Sequence, residues 1–98
     1  MAKGYWIANN LVHDAESYAR YRAANAAVFA RYGARFLVRG GAQEIREGEG
    51  RPRSVVLEFP SYEAARACYD DPEYQAAMAL RAAPVAEGLL IIAEGYEG

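Results

Sequence analysis

Hydrophobic positions recur with short periods along most of the chain, and the first third predicts a strand followed by a long helix. Residues 5–12 (YWIANNLV) are rich in aromatic and branched side chains, as strands are. Asp14 is a favourable N-cap, and Gly33 is typical of the position just after a helix. Between them, three- and four-residue steps predict one buried stripe on a helix ending at Tyr32. This stripe consists of Tyr18, Tyr21, Asn25, Val28, Phe29 and Tyr32.

The middle of the chain predicts a β-hairpin. Residues 35–39 (RFLVR) alternate between apolar and basic side chains, which places Phe36 and Val38 on one face and Arg39 on the other. A segment rich in glycine and charged residues follows and is typical of a loop. Residues 53–59 (RSVVLEF) then return as the partner strand.

The last third predicts two short helices and a final strand. Ser61 is suited to cap the first of these helices. Asp71-Pro72 starts the second, because proline is favoured at the first helical position after a cap. We expect this helix to end at Pro84, since the residue before a proline is pushed out of the helical region. The apolar run 89–93 (LLIIA) predicts the last strand.

The order of elements predicts an α+β fold of the ferredoxin-like βαββαβ type. Right-handed crossovers and one hairpin give a two-layer sandwich: a four-stranded antiparallel sheet with helices on one face, the second helical segment being split in two. The length of 98 residues predicts a single domain spanning residues 1–98.

Three of the four predicted strands are apolar on both faces, which one helical layer cannot cover. Trp6 and Ile7 point to opposite sides of the first strand, and every residue of 89–93 is apolar. A large exposed apolar face marks an interface. We therefore expect a homodimer that packs sheet on sheet.

Composition excludes several classes of function. The net charge of −2 and the lack of a basic stripe argue against nucleic acid binding, and no apolar run reaches membrane-spanning length. One cysteine and one histidine make a metal site improbable, and no phosphate-binding glycine motif points to a cofactor. Without a signal-peptide pattern, we expect a cytoplasmic protein with neither metal nor cofactor.

Several distinctive stretches are spread over nearly the whole chain: Tyr5–Ala8, Tyr18–Tyr21, Gly33–Gly41, Leu57–Ser61, Ala64–Ala67, Tyr69 and Asp71–Gln75. Together they resemble a known family, the domain of unknown function 1330, within the dimeric α+β barrel superfamily. The chain departs from its pattern at Ala15, where proline is expected. The resemblance implies the fold and the dimer but no reaction, because the family has no settled activity. Related superfamily members range from small monooxygenases and haem-degrading enzymes to muconolactone isomerases and ligand-sensing domains.

A ligand site between sheet and helices is the sharpest functional hypothesis. Tyrosine rings can hold an organic ligand and an arginine can anchor its carboxylate or enolate, so a small anionic or aromatic compound is expected. The candidate residues are Tyr18, Tyr21, Asn25, Arg39, Tyr69, Tyr74 and Arg81. The plainer alternative makes the aromatics simple core residues and pairs each arginine with Glu58 or across the dimer.

Other polar residues leave the function open. His13 is expected to be a surface loop residue, and Asn9 and Asn10 must point to opposite faces of the first strand. A cofactor-independent enzyme, resembling a monooxygenase or an isomerase, and a non-catalytic binding or structural dimer with a filled cavity both fit the sequence. Catalytic residues are not assigned.

Overall fold

The structure, a computed structural model, describes residues 2–98. This part of the chain contains four strands and three helices. In chain order these elements are β1 (Gly4–Val12), α1 (Ala15–Arg31), β2 (Arg35–Arg39), β3 (Arg53–Phe59), α2 (Tyr62–Asp70), α3 (Pro72–Ala79) and β4 (Ala86–Glu94).

The strands form one antiparallel sheet in the order β2-β3-β1-β4. The two central strands, β1 and β3, are therefore neighbours, and each holds an edge strand on its other side. This confirms the βαββαβ order and the four-stranded sheet that the sequence predicts.

The helices begin where the sequence signals place them. The Asp14 carboxylate accepts the backbone N–H of Ser17, and the Ser61 hydroxyl accepts that of Ala64, so both residues are N-caps. Asp71 caps α3, with Pro72 at its first position. Gly33 follows α1 with a φ of 70°, a left-handed conformation that favours glycine.

The third helix ends earlier than the sequence predicts. It stops at Ala79 rather than at Pro84, and a series of turns joins it to β4. Leu80 and Arg81 donate their backbone N–H groups three residues back, to Ala77 and Met78, which tightens the end of the helix into a turn. Arg81 therefore lies in this turn, and β4 begins at Ala86, earlier than the apolar run indicated.

One face of the sheet packs against the helices. Trp6 of β1 is 1% exposed and donates its indole N–H to the carbonyl of Ala65 on α2 at 2.8 Å. Around it pack four aromatic rings with centroids 4.9–5.9 Å from its own. They belong to Phe29, Phe59, Tyr69 and Tyr74.

The other face, here called the open face, carries no helix within residues 2–98 and exposes several large apolar side chains. On it Ile7 is 40% exposed, Leu89 48% and Ile91 51%. Ile7 and Ile91 are partners in the β1–β4 register, so their side chains lie next to each other. The expectation that both faces are apolar is confirmed. Within residues 2–98, no helix has the length and hydrophobicity needed to cross a membrane.

Candidate functional site

A cavity of about 420 Å³ lies between the helix-covered face of the sheet, α1 and the segment from α3 to β4. Such a volume falls within the range of small-molecule sites. Its floor is formed by apolar side chains of the strands, namely Trp6, Ala8, Val55, Leu57, Leu90 and Ile92.

Helix α1 supplies one wall of the cavity through Tyr18, Tyr21, Asn25 and Phe29. The spacing of three and four residues places these side chains on one side of the helix. The rings of Tyr18 and Tyr21 have centroids 5.3 Å apart. Asn25 is only 3% exposed, and its amide makes no side-chain hydrogen bond within residues 2–98. Because Asn25 lines the cavity and its amide is not satisfied by another side chain, this group is available to a ligand.

The opposite wall holds Arg81 in a fixed position. Arg81 Nη2 donates to the Tyr74 hydroxyl at 3.1 Å, and the Tyr74 and Tyr21 hydroxyl oxygens are 2.8 Å apart. The Arg81 guanidinium carbon also lies 5.2 Å from the Tyr21 ring centroid. Burial raises the pKa of Tyr74, so its hydroxyl stays neutral and accepts from the cation.

Arg53 and Asn10 meet at the end where β1 and β3 pair. The two residues are partners in the register, so both side chains point to the helix-covered face. The Arg53 guanidinium carbon lies 5.3 Å from the ring centroid of Tyr18, and Asn10 Nδ2 donates to the Tyr18 hydroxyl at 3.4 Å. Arg53 Nη1 and Asn10 Oδ1 are buried without a hydrogen-bond partner in the described chain.

Arg39 reaches the cavity because β2 is irregular. The register shifts between Phe36 and Val38, so that Phe36 pairs with Leu57 and Arg39 with Val55. Both partners face the helices, and this β-bulge therefore turns Arg39 to the same side as Phe36. The predicted alternation, with Phe36 and Val38 together and Arg39 opposite, was wrong. The Arg39 guanidinium carbon now lies 3.9 Å from the Phe36 ring centroid.

The cavity arginines lack carboxylate partners. No salt bridge within residues 2–98 includes Arg39, Arg53 or Arg81. Glu58 lies on the open face, where it pairs with Arg35 at 3.6 Å and accepts the Tyr5 hydroxyl at 3.0 Å. The expectation that Arg39 or Arg81 pairs with Glu58 is therefore wrong, because Glu58 points to the other side of the sheet.

Glu87 is the one carboxylate residue among those at the cavity in the described part of the chain. Its Oε2 lies 3.2 Å from Nε2 of His13, and both side chains are about half exposed at the rim. His13 is thus a surface loop residue, as the sequence indicated. Several arginines line the cavity, and no carboxylate of the described chain pairs with them. The electrostatic potential in the cavity is therefore positive, which suits an anion.

Six of the seven predicted site residues are brought together around the cavity: Tyr18, Tyr21, Asn25, Arg39, Tyr69 and Arg81. The seventh, Tyr74, is fully buried behind the wall, where its hydroxyl contacts the Tyr21 hydroxyl and the Arg81 guanidinium and its ring packs on cavity-lining aromatic side chains. Tyr69 donates its hydroxyl to the Met78 sulfur at 3.4 Å, and both line the cavity.

Arg53 is the main site residue that the sequence reasoning missed. The signal was available, because Arg53 alternates with Val55, Leu57 and Phe59 along β3 and therefore shares their buried face. Asn10 faces the cavity, because adjacent strand residues point to opposite faces and one of Asn9 and Asn10 must therefore point to the helix-covered side. Asn9 faces the other way and is fully hydrogen-bonded, to the backbone at Arg51 and Arg53 and to the Ser54 hydroxyl.

Groups suited to covalent or metal chemistry are scarce here. The Cys68 thiol is fully buried, and desolvation raises its pKa to about 12, so it stays protonated and unreactive at neutral pH. The described residues contain no cluster of three or more His, Cys, Asp or Glu side chains placed to hold a metal ion. What the site offers is cationic, amide and aromatic groups.

Comparison with known proteins agrees with this fold. The model of a family described as "Domain of unknown function (DUF1330)" matches residues 3–96, which confirms the resemblance noted from the sequence. No curated protein matches the chain at a significant level.

Three solved structures share the architecture. A protein of unknown function from Rhodopseudomonas palustris is 23% identical, with a TM-score of 0.78 over 99% of this chain and 85% of that one. A dimeric ferredoxin-like protein of unknown function from Thermobifida fusca YX is 19% identical, with a TM-score of 0.61 over 95% and 91%. SnoaB, a cofactor-independent oxygenase from Streptomyces nogalater, is 19% identical, with a TM-score of 0.62 over 100% and 97%. At these identities the likeness establishes the ferredoxin-like fold alone.

Proposed function

The chain belongs to the DUF1330 family, whose description assigns no activity, and we propose that it binds a small organic anion with an aromatic or apolar body in the cavity between sheet and helices. The proposal rests mainly on one observation, the lack of counter-charges for the cavity arginines. Arg39, Arg53 and Arg81 line an apolar cavity without a carboxylate partner in the described chain. A carboxylate or enolate would supply the missing counter-charge.

The unpartnered amides support the same ligand class. Asn10 and Asn25 each leave hydrogen-bonding capacity unused at the cavity, and buried polar groups are usually satisfied in native proteins. A carboxylate can accept from the Asn25 amide and from Arg53, while a ligand hydroxyl can donate to Asn10 Oδ1. The tyrosine rings of α1 provide flat apolar surface for the body of the ligand.

The proposal is tested by calorimetric titration with benzoate and with its neutral analogue, benzyl alcohol. We expect benzoate to bind and benzyl alcohol to bind at least about tenfold more weakly, since it forms no charge-assisted hydrogen bonds. Arg53→Gln removes one cation and is expected to weaken benzoate binding by a similar factor. Arg66→Gln on the exposed side of α2 removes the same charge and serves as the control.

Equal binding of both compounds, or equal loss in Arg53→Gln and Arg66→Gln, would contradict an anion site in the cavity. Native mass spectra of freshly purified protein complement the titration, because a retained small acid would report the natural ligand's mass.

A second candidate function is cofactor-independent proton transfer on a bound carbonyl acid, as in an isomerase- or oxygenase-like enzyme. The His13–Glu87 pair at the rim favours it, because it places a carboxylate base beside a cavity whose arginines stabilise an enolate. Phenylpyruvate in D2O provides the assay: its methylene protons should exchange faster with protein than in buffer, and Glu87→Gln should abolish the acceleration. If the methylene protons exchange no faster with protein than in buffer, the proton-transfer function is wrong and the anion-binding proposal is unaffected.

The open face is proposed to pair with a second copy of the chain. Ile7, Leu89 and Ile91 form an exposed apolar surface there, and the solved ferredoxin-like protein from Thermobifida fusca is dimeric. We expect a particle of twice the 10.8 kDa chain mass by light scattering. Ile91→Asp should give the monomer, whereas Leu80→Asp, an exposed leucine after α3, should leave the dimer intact. A wild-type monomer would overturn the pairing.

A further inference from the structure

The cavity presents two separate cationic positions, one at each ring of the Tyr18–Tyr21 pair. Arg53 starts β3, and Arg81 lies in the turn between α3 and β4. Each arginine contacts a different ring of the Tyr18–Tyr21 pair, at 5.3 and 5.2 Å.

Each position has its own supporting groups. At the first, Arg53 Nη1 is buried without a hydrogen-bond partner in the described chain. At the second, the Tyr74 hydroxyl accepts from Arg81 at 3.1 Å, and the guanidinium has no carboxylate partner within residues 2–98. A guanidinium has five donors, so both arginines retain capacity for a bidentate anion.

The space between the two positions is apolar and open. Asn10 and Gly88 are partners in the β1–β4 register and face the cavity, and Gly88 adds no side chain to this row. The floor beneath carries Ala8 and Leu90, also register partners. The aromatic ring of a ligand therefore has room between the two arginines.

From this arrangement, and resting on the proposed anion-binding function, we infer that the ligand is a dianion: an aromatic or unsaturated compound with one carboxylate at Arg53 and a second anionic group at Arg81. A single carboxylate leaves one half-buried guanidinium without a counter-charge, which is unfavourable where the cavity partly excludes water. Two anionic ends neutralise both positions while the ring lies against the tyrosines.

The test compares benzoate with isophthalate and terephthalate by calorimetric titration of the wild-type protein. We expect at least one dicarboxylate to bind about tenfold more tightly than benzoate, because it makes one more charge-assisted contact with the protein. If benzoate binds and neither dicarboxylate binds more tightly, the dianion inference fails and the anion site stands. If none of the three binds, the proposed function itself fails.

Two variants locate the effect. Arg53→Gln and Arg81→Gln should each weaken binding of the better dicarboxylate about tenfold, to the affinity that the wild-type protein has for benzoate. Arg66→Gln should bind this dicarboxylate as tightly as the wild type does. Thermal unfolding of each variant checks that the fold is intact; because Arg81 is held by Tyr74, Arg53→Gln remains the decisive variant if Arg81→Gln unfolds. A dicarboxylate that binds Arg53→Gln as tightly as it binds wild type would overturn the assignment of the first carboxylate.

Discussion

At the scale of single residues, the asparagines show which polar groups belong to the fold and which to the site. Asn9 donates through Nδ2 to two backbone carbonyls and a hydroxyl, and its Oδ1 accepts the Arg51 N–H at 2.6 Å. Asn25 is more deeply buried and makes no side-chain hydrogen bond within the described chain. The first amide stabilises the fold, whereas the second keeps its hydrogen-bonding groups for a ligand in the cavity that it lines.

Replacing these two amides with leucine should therefore give opposite results. Asn9→Leu is expected to lower the free energy of unfolding by about 2 kcal/mol, since it leaves backbone groups unpaired. Asn25→Leu should leave it unchanged or raise it by up to about 1 kcal/mol, because leucine favours a helix and buries no unpaired amide. Urea unfolding measures both. A loss in Asn25→Leu as large as in Asn9→Leu would show that Asn25 serves the fold.

At the scale of elements, one acidic residue joins the end of α1 to the start of α3. The Asp71 carboxylate accepts from the Tyr32 hydroxyl at 2.8 Å and from Arg31 Nη2 at 2.9 Å, and it also caps α3. The hydrogen bond from Tyr32, the N–H of Glu73 and the Arg31 cation together lower the Asp71 pKa. This junction fixes α3, and with it the turn that carries Arg81.

Asp71→Asn should lower the midpoint of thermal unfolding at pH 7, and Glu73→Gln, which loses only an exposed contact to Arg31, should lower it less. A lowered pKa means that the contribution of Asp71 is present above the unfolded-state pKa of about 3.9 and is lost as pH falls through the lower folded-state value. The difference between wild type and Asp71→Asn should therefore shrink as pH falls below about 4. A difference that grows on acidification would contradict this assignment.

Helix caps and apolar periods were enough to predict the elements, whereas the site depended on two local irregularities. Asp14, Ser61 and Asp71 mark helix starts through side-chain chemistry that is readable in the sequence. The bulge in β2 has no such signature, and only pairing with β3 shows that Arg39 turns inward. Likewise, the turn holding Arg81 depends on the contact with Tyr74, which is a tertiary interaction.

At the scale of the molecule, the two faces of the sheet serve separate purposes. The cavity lies between the helix-covered face and the helices, whereas the open face carries the exposed isoleucines proposed to pair with a second copy. Assembly and ligand binding are therefore expected to be independent.

The Ile91→Asp variant tests this independence. It is expected to be monomeric and to bind benzoate with an affinity within about threefold of wild type, since no cavity group is altered and a threefold change is below 1 kcal/mol. Calorimetry and light scattering on the same sample provide the measurement. Complete loss of binding in a folded monomer would show instead that the site needs the partner chain.

Side-chain amide NMR during a benzoate titration shows whether an organic anion occupies the cavity. We expect saturable shifts of the Asn10 and Asn25 amide signals, because these side chains face the cavity, while the Asn9 signals on the open face stay in place. Shifts confined to Asn9 or to exposed residues, with the signals of Asn10 and Asn25 unmoved at saturation, would show that the anion does not bind in the cavity.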